Sequence, residues 1–194
     1  MSSSDLCAAI VAGGQARRFD GADKSRLIVE GRPIIVRQLD VLRRITSSIA
    51  IIANDASRFA DLGLPVHADV IPGTGALGGL YTALVHAPAD RVLVVACDLP
   101  FLDERLLARL ADLAAGADGA WVRTARGPEP FLACYRRSAA DTVRGELEAG
   151  HLRAQDLARV LRLVELDEAA VAEFGPVSRL LANVNTPGDH ARIQ

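Results

Sequence analysis

The chain has 194 residues, half of them hydrophobic, and a formal net charge of -2, enough for one substantial core and too little for two ordinary domains. Acidic and basic residues are balanced along the whole length, which excludes a general nucleic-acid binder and requires any positive field to be local. No segment reaches the roughly 20 apolar residues of a membrane span, and the Met1–Asp5 start has no basic region followed by an apolar run. The expectation is a single cytoplasmic domain over residues 1–194 with residues 1–5 frayed, and no membrane or nucleic-acid partner.

In chain order, Leu6 to Val11 reads as a buried strand. Ile35, Leu39, Leu42 and Ile45 then recur at helical spacing, and Ser48 to Ala53 reads as a second strand. A glycine-rich stretch, Asp69 to Leu80, leads into a helix beginning near Leu77. Val92 to Ala96 is apolar at every position, as a central strand buried on both faces requires. Leu106, Leu110 and Leu113 mark another helix, followed by strands at Gly119 to Val122 and Pro130 to Tyr135. Helical stretches follow at Ser138 to Ala149 and Ala154 to Leu161, then a strand at Arg162 to Leu166 and a last helix opened by Pro187. Short apolar runs alternating with helices specify an α/β protein with a mainly parallel central sheet, its faces covered by helices. Cys7, Cys97 and Cys134 are odd in number and widely spaced in or beside apolar runs, which fits buried thiols in a reducing compartment rather than a disulfide framework or zinc site. His67, His86, His151 and His190 show no paired-ligand spacing.

The first strand ends in Ala12-Gly13-Gly14-Gln15-Ala16-Arg17-Arg18, with Asp23-Lys24-Ser25 just beyond. Glycines there let main-chain N–H groups approach an anion, arginines fork onto phosphate oxygens, and Lys24 adds a mobile point charge. The spacing excludes a Walker loop, since Lys24 follows Asp23 rather than glycine, and a dinucleotide fingerprint, which needs glycines absent here. A different polyphosphate loop is implied.

Asp98, in Cys97-Asp98-Leu99-Pro100, follows the most apolar run and should emerge at the carboxyl end of a central strand, where open α/β sheets bind ligands. It is the candidate Mg2+ residue, since a carboxylate there can hold the ion while substrate phosphates complete its shell. Capping the next helix is the competing role, which Asp103-Glu104 already serve. Small residues of the Asp69 to Leu80 loop would let a base or ribose lie against main chain. Asn54 follows the second strand onto the same sheet edge, either to read a base or to make a turn. In Asn183-Val184-Asn185-Thr186-Pro187, Thr186 can cap the final helix. The two asparagines alternate, so at most one faces a nucleotide.

Taken together, Val11-Ala12-Gly13-Gly14-x-Ala16-Arg17-Arg18, Asp23-Lys24, the Asp69 to Leu80 loop, Cys97-Asp98-x-Pro100 and Asn183-x-Asn185-Thr186-Pro187 resemble the molybdenum cofactor guanylyltransferase family over essentially the full chain. The resemblance implies a three-layer Rossmann-like nucleotidyltransferase fold and transfer of GMP from GTP to the phosphate of molybdopterin, with Mg2+ and release of pyrophosphate. It implies that main-chain groups of Val11, Ala12 and Gly13 meet GTP, Lys24 its phosphates, Asn54 and Asp69 the nucleoside end, and Asp98 both nucleotide and Mg2+. Lys24 and Asp98 are the catalytic candidates. It also implies transient contact with a molybdenum cofactor carrier or molybdoenzyme chaperone. Gln15, Phe19 and Ala76 depart from the family's commoner basic residue, methionine and proline, and Gly150-His151-Leu152-Arg153 matches the pterin-side loop only loosely. The alternatives are a molybdopterin cytidylyltransferase, a sugar-phosphate nucleotidyltransferase and a nucleotide-binding regulator without chemistry.

Overall fold

Strand β1 (Leu6–Val11) is apolar at every position because both its faces are covered: Leu6, Ala8 and Ile10 join one core, Cys7 and Ala9 the other. The computed structural model describes residues 5–13 and 24–192. Gly14, Gln15, Ala16, Arg17, Arg18, Phe19 and Asp23 of the first loop lie outside the described residues, as do residues 1–4. A small antiparallel hairpin, β2 (Ile28–Val29) and β3 (Arg32–Pro33), leads into helix α1 (Ile34–Ile45). Then come β4 (Ile49–Ile52), β5 (Val66–His67), α2 (Gly75–Val85), β6 (Arg91–Ala96) and α3 (Glu104–Ala114). The second half comprises β7 (Gly119–Thr124), β8 (Gly127–Arg136), α4 (Ala140–Glu148), β9 (Leu163–Asp167), α5 (Glu168–Val171), α6 (Val177–Leu180) and α7 (Pro187–Arg192).

The seven-stranded sheet has the order β5-β4-β1-β6-β8-β7-β9. β4, β1 and β6 run parallel, β4 pairs parallel with β5, and β7 with β9. β8 alone is antiparallel to both its neighbours. From β1 the chain moves outward through β4 and β5, then returns to place β6 on the other side of β1. That reversal opens a crevice at the carboxyl ends of β1 and β6. Helices α1 and α3 bury Ile35, Leu39, Leu42, Leu106, Leu107 and Leu110 on one face of the sheet. Helices α2 and α4 bury Leu77, Leu80, Leu84, Val143 and Leu147 on the other. Full burial of each such side chain contributes about 1.5–3 kcal/mol, so the result is a three-layer Rossmann-like α/β fold. β6 lies at the middle of the sheet with Val92 to Val95 buried, as its unbroken apolar run requires.

Some boundaries and elements differ from the sequence expectation. α2 begins at Gly75 rather than near Leu77, because Gly73 and Gly75 take φ of +82° and +65° and turn the chain early. Ala154 to Arg159 forms a 3-10 helix, and a 3-10 turn at Arg137–Ala139 precedes α4. β8 starts at Gly127, three residues before the expected position, as the outgoing arm of a hairpin with β7. The two-residue β2, β3 and β5 and the four-residue α5 and α6 are too short to show a period. Cys7 and Cys134 are buried as expected, and burial pushes both thiols up, Cys134 to about 12. Cys97 corrects the expectation. It is only half-buried, since its position at the carboxyl end of β6 opens onto the crevice.

Gly119 marks the tightest strand contact. A Cβ there would meet the Cys134 carbonyl oxygen at 2.8 Å, Tyr135 Cδ1 at 2.9 Å and Leu163 Cδ2 at 3.0 Å. The carbonyl cannot withdraw without breaking the β7–β8 ladder, so Gly119→Ala should destabilise the fold by about 1–3 kcal/mol. Urea unfolding followed by circular dichroism measures the loss, and an unchanged midpoint would show the ladder able to absorb a methyl group.

Candidate active site

The carboxyl ends of the parallel strands bring distant segments to one edge of the sheet. β1 delivers Val11, Ala12 and Gly13, β4 delivers Asn54, the chain after β5 delivers Asp69, and β6 delivers Cys97 and Asp98. Together with Lys24, Arg58, the start of α2 and Phe131 of β8, they line a cleft of about 520 Å³, a volume suited to a small-molecule ligand. Val11, Ala12, Gly13, Lys24, Asn54, Asp69 and Asp98 therefore line one space, while Arg17 and Arg18, also read as phosphate partners, lie outside the described residues.

Asp98 is set in place by main chain on both sides. The Cys97 N–H donates to the Val11 carbonyl at 3.1 Å, and the Val184 N–H donates to the Asp98 carbonyl at 3.0 Å. The second bond brings the end of the chain to the site and places Asn185 beside it. Lys24 Nζ donates to Asn185 Oδ1 at 2.9 Å and lies 3.9 Å from Asp98 Oδ2. Burial raises the Asp98 carboxyl above the usual aspartate range, and the positive charge of Lys24 partly opposes that rise. The competing capping role is filled by Asp103, whose Oδ1 accepts from the N–H groups of Arg105 and Leu106 at 2.9 and 3.0 Å. Thr186 caps α7, its Oγ1 accepting from the Asp189 N–H while Asp189 Oδ2 accepts from the Asn185 and Thr186 N–H groups. Of the two asparagines, Asn185 is the one drawn to Lys24, while Val184 between them is fully buried.

Asn54 and Asp69 form a reciprocal pair. Asn54 Nδ2 donates to Asp69 Oδ2, and the Asp69 N–H donates to Asn54 Oδ1, both at 2.9 Å. Asn54 is thus chiefly a holder of Asp69, whose other oxygen, Oδ1, is buried without a hydrogen-bond partner. Gly79 leaves the room: a Cβ there would stand 2.9 Å from Val11 Cγ1 and 3.9 Å from Asp69 Oδ1. Ala12 commits its N–H to the Ile52 carbonyl at 2.9 Å, so what it can offer a ligand is its carbonyl oxygen.

Sequence reading did not find Arg58, Glu129 or Phe131. Arg58 sits in the 3-10 helix Ala56–Leu62 after Asn54, and Phe131 and Glu129 lie two residues apart on β8. Burial raises the Glu129 carboxyl above the usual glutamate range, with Arg126 lowering it and the charge of Asp98 adding to the rise, so a second acid lies within electrostatic reach of the first. The signal for Glu129 and Phe131, a strand running back antiparallel beside β6, exists only once the sheet order is known.

Comparison with known proteins places the chain in a family. A family model described as the MobA-like NTP transferase domain matches residues 8–170. A probable molybdenum cofactor guanylyltransferase of Chloroflexus aggregans is 35% identical over 191 residues, covering 95% of this chain and 91% of that protein. A molybdenum cofactor guanylyltransferase of Shewanella woodyi is 33% identical, covering 93% and 91%. The crystal structure of molybdopterin-guanine dinucleotide biosynthesis protein A from Archaeoglobus fulgidus superposes with a TM-score of 0.82 at 26% identity, covering 96% of this chain and 95% of that one.

The raised carboxyl of Asp98 has a consequence for stability. A carboxyl that holds its proton more tightly when folded favours the fold at low pH, and that contribution is lost as pH rises through the raised value. At neutral pH the ionised Asp98 therefore costs stability, because burial outweighs the attraction of Lys24. Asp98→Asn should raise the urea midpoint at pH 7.5 and narrow the difference from parent at acid pH. A lower midpoint at pH 7.5 would mean that the Lys24 contact dominates.

Proposed function

This chain belongs to the MobA-like NTP transferase family, and from that premise we propose that it transfers GMP from GTP to the phosphate of molybdopterin in the cytoplasm, releasing pyrophosphate. The observation that carries this reading is the meeting of Lys24 and Asp98 on one cleft that Asp69 also lines, with Asn185 held against Lys24 from a third distant segment.

The two oxygens of Asp98 and Asn185 already face one positive charge from separate segments. This is the donor chemistry of a hard divalent cation, so Mg2+ fits there. Asp98 and Asn185 would hold it, and when bound it would neutralise charge developing on the triphosphate. Lys24 supplies a second positive charge to the same phosphates. No protein nucleophile is required: the pterin phosphate oxygen attacks the α-phosphorus, the bond to the bridging oxygen breaks, and pyrophosphate leaves with that electron pair. What this chain contributes is position and electrostatic stabilisation.

The preference for GTP over CTP is supported by the relatives named as molybdenum cofactor guanylyltransferases.

Incubation with each nucleoside triphosphate, Mg2+ and molybdopterin, followed by mass measurement, should give a GMP adduct only from GTP. A CMP adduct would identify the cytidylyltransferase, and nucleotide binding without pyrophosphate release would identify the regulator. Asp98→Ala should lower turnover by about 100-fold or more in a folded protein. Lys24→Met should lower turnover while tightening Mn2+ binding to the nucleotide-free protein, because the ammonium and the divalent ion compete for the same oxygens. Unchanged Mn2+ affinity, read by electron paramagnetic resonance, would separate the two sites.

A further inference from the structure

We infer that Gln38, on the buried face of α1, is a positioning residue for Asp98, setting the direction of its carboxylate by clamping the turn that carries it; this rests on the reading of Asp98 as the metal-holding acid. Gln38 is 1% exposed. Its Nε2 donates to the Ala96 carbonyl at 2.7 Å and to the Leu99 carbonyl at 2.9 Å, the two carbonyls that flank Cys97-Asp98. The turn's own closing bond, from the Leu99 N–H to the Ala96 carbonyl, is long at 3.4 Å. The side-chain clamp therefore has better geometry than the main-chain bond it spans.

The same helix also registers Lys24. The Leu27 N–H donates to the Lys24 carbonyl at 3.2 Å, and the Ile34 N–H, at the start of α1, donates to the Leu27 carbonyl at 3.0 Å. Arg37, next to Gln38, donates from Nε to the Pro100 carbonyl at 3.0 Å and from Nη1 to the Val29 carbonyl at 3.3 Å. Phe101, Val29, Ile34 and Val184 then pack as a separate small core. The acid and the ammonium are thus both referenced to one helix, and Gln38 is the link on the acid's side.

The chemistry of the side chain argues against simple filling. Gln38 Oε1 is buried without a hydrogen-bond partner, a condition that disfavours a polar residue where an aliphatic one would fit. What glutamine adds over leucine or methionine at this position is the two-pronged donor. Partners that orient a metal-holding group commonly account for about 10- to 100-fold in metal affinity or activity.

The test compares the full-length parent with Gln38→Met, which keeps volume and removes both donors. Mn2+ affinity in the presence of GTP is read by electron paramagnetic resonance, alongside kcat, KM for GTP and the thermal midpoint. The expected result is a loss of about 10- to 100-fold in Mn2+ affinity and kcat, with KM for GTP and thermal midpoint close to parent. In an Asp98→Ala background the same substitution should cause no further loss, because its effect runs through Asp98. Parental Mn2+ affinity and kcat in a folded Gln38→Met protein, or full additivity with Asp98→Ala, would overturn the inference. If Gln38→Met does not fold, the isosteric Gln38→Glu is measured in the same way, and failure of both to fold would mark Gln38 as a core requirement and refute the positioning role. A parent that binds Mn2+ and GTP tightly yet yields no pterin adduct refutes the proposed reaction alone, since the Mn2+ comparison still decides the role of Gln38.

Discussion

The site depends on one electrostatic compromise: a carboxylate is held in a half-buried place that disfavours its charge, and an ammonium is brought close enough to make that charge tolerable. Burial dominates at Asp98, so Lys24 relieves the penalty without removing it. At 3.9 Å the ammonium is an ionic neighbour of Asp98 rather than a hydrogen-bonding one, and its short contact goes to Asn185 instead. A carboxylate under these conditions retains lone pairs and an uncompensated field, which suits it to a divalent cation and a triphosphate. A fully neutralised, well-bonded ion pair would be less available to either.

The sheet order makes this compromise possible. Because β1 lies between β4 and β6, three parallel strands end side by side, and each hands one functional segment to the same edge. The return of the chain end is held by a main-chain bond from Val184 to Asp98, by the contact of His190 Nε2 with the Ile28 carbonyl, and by burial of Val184 in the small core beside Phe101. Apolar packing therefore brings the amide of Asn185 to the ammonium of Lys24, across 161 positions of sequence.

Much of this was legible in the sequence because it follows from local rules. The unbroken apolar run before Asp98 required a doubly covered strand, and a strand-end acid in a parallel sheet falls at the ligand edge. The helical spacing of Ile35, Leu39, Leu42 and Ile45 located α1. What could not be read was whatever depends on pairing across distance. Phe131 lines the cleft, and Glu129 comes within electrostatic reach of Asp98, only because β8 runs antiparallel beside β6. Gln38 looks like one more polar residue of an amphipathic helix until the turn it clamps is seen to lie beneath that helix. Asn54 fell between a base reader and a turn residue, and its reciprocal pairing with Asp69, 15 positions later, makes it a holder of another side chain.

Unsatisfied buried polar atoms gather around the site. Among the described residues, the buried side-chain atoms without a partner are Gln38 Oε1, Asp69 Oδ1 and Arg136 Nε. Each such atom costs about 1–3 kcal/mol relative to a satisfied one, which is a large fraction of the net stability of a domain this size. Two of the three belong to the cleft or to the clamp beneath it, and in both the rest of the side chain is fully used: Asp69 Oδ2 by Asn54, Gln38 Nε2 by the turn of Asp98. The fold thus leaves a polar atom unpaired at Asp69 beside the cleft and at Gln38 beneath the turn of Asp98, and one more at Arg136 on β8. Local consistency between sequence and structure gives way at the cleft, as expected where a protein trades stability for function.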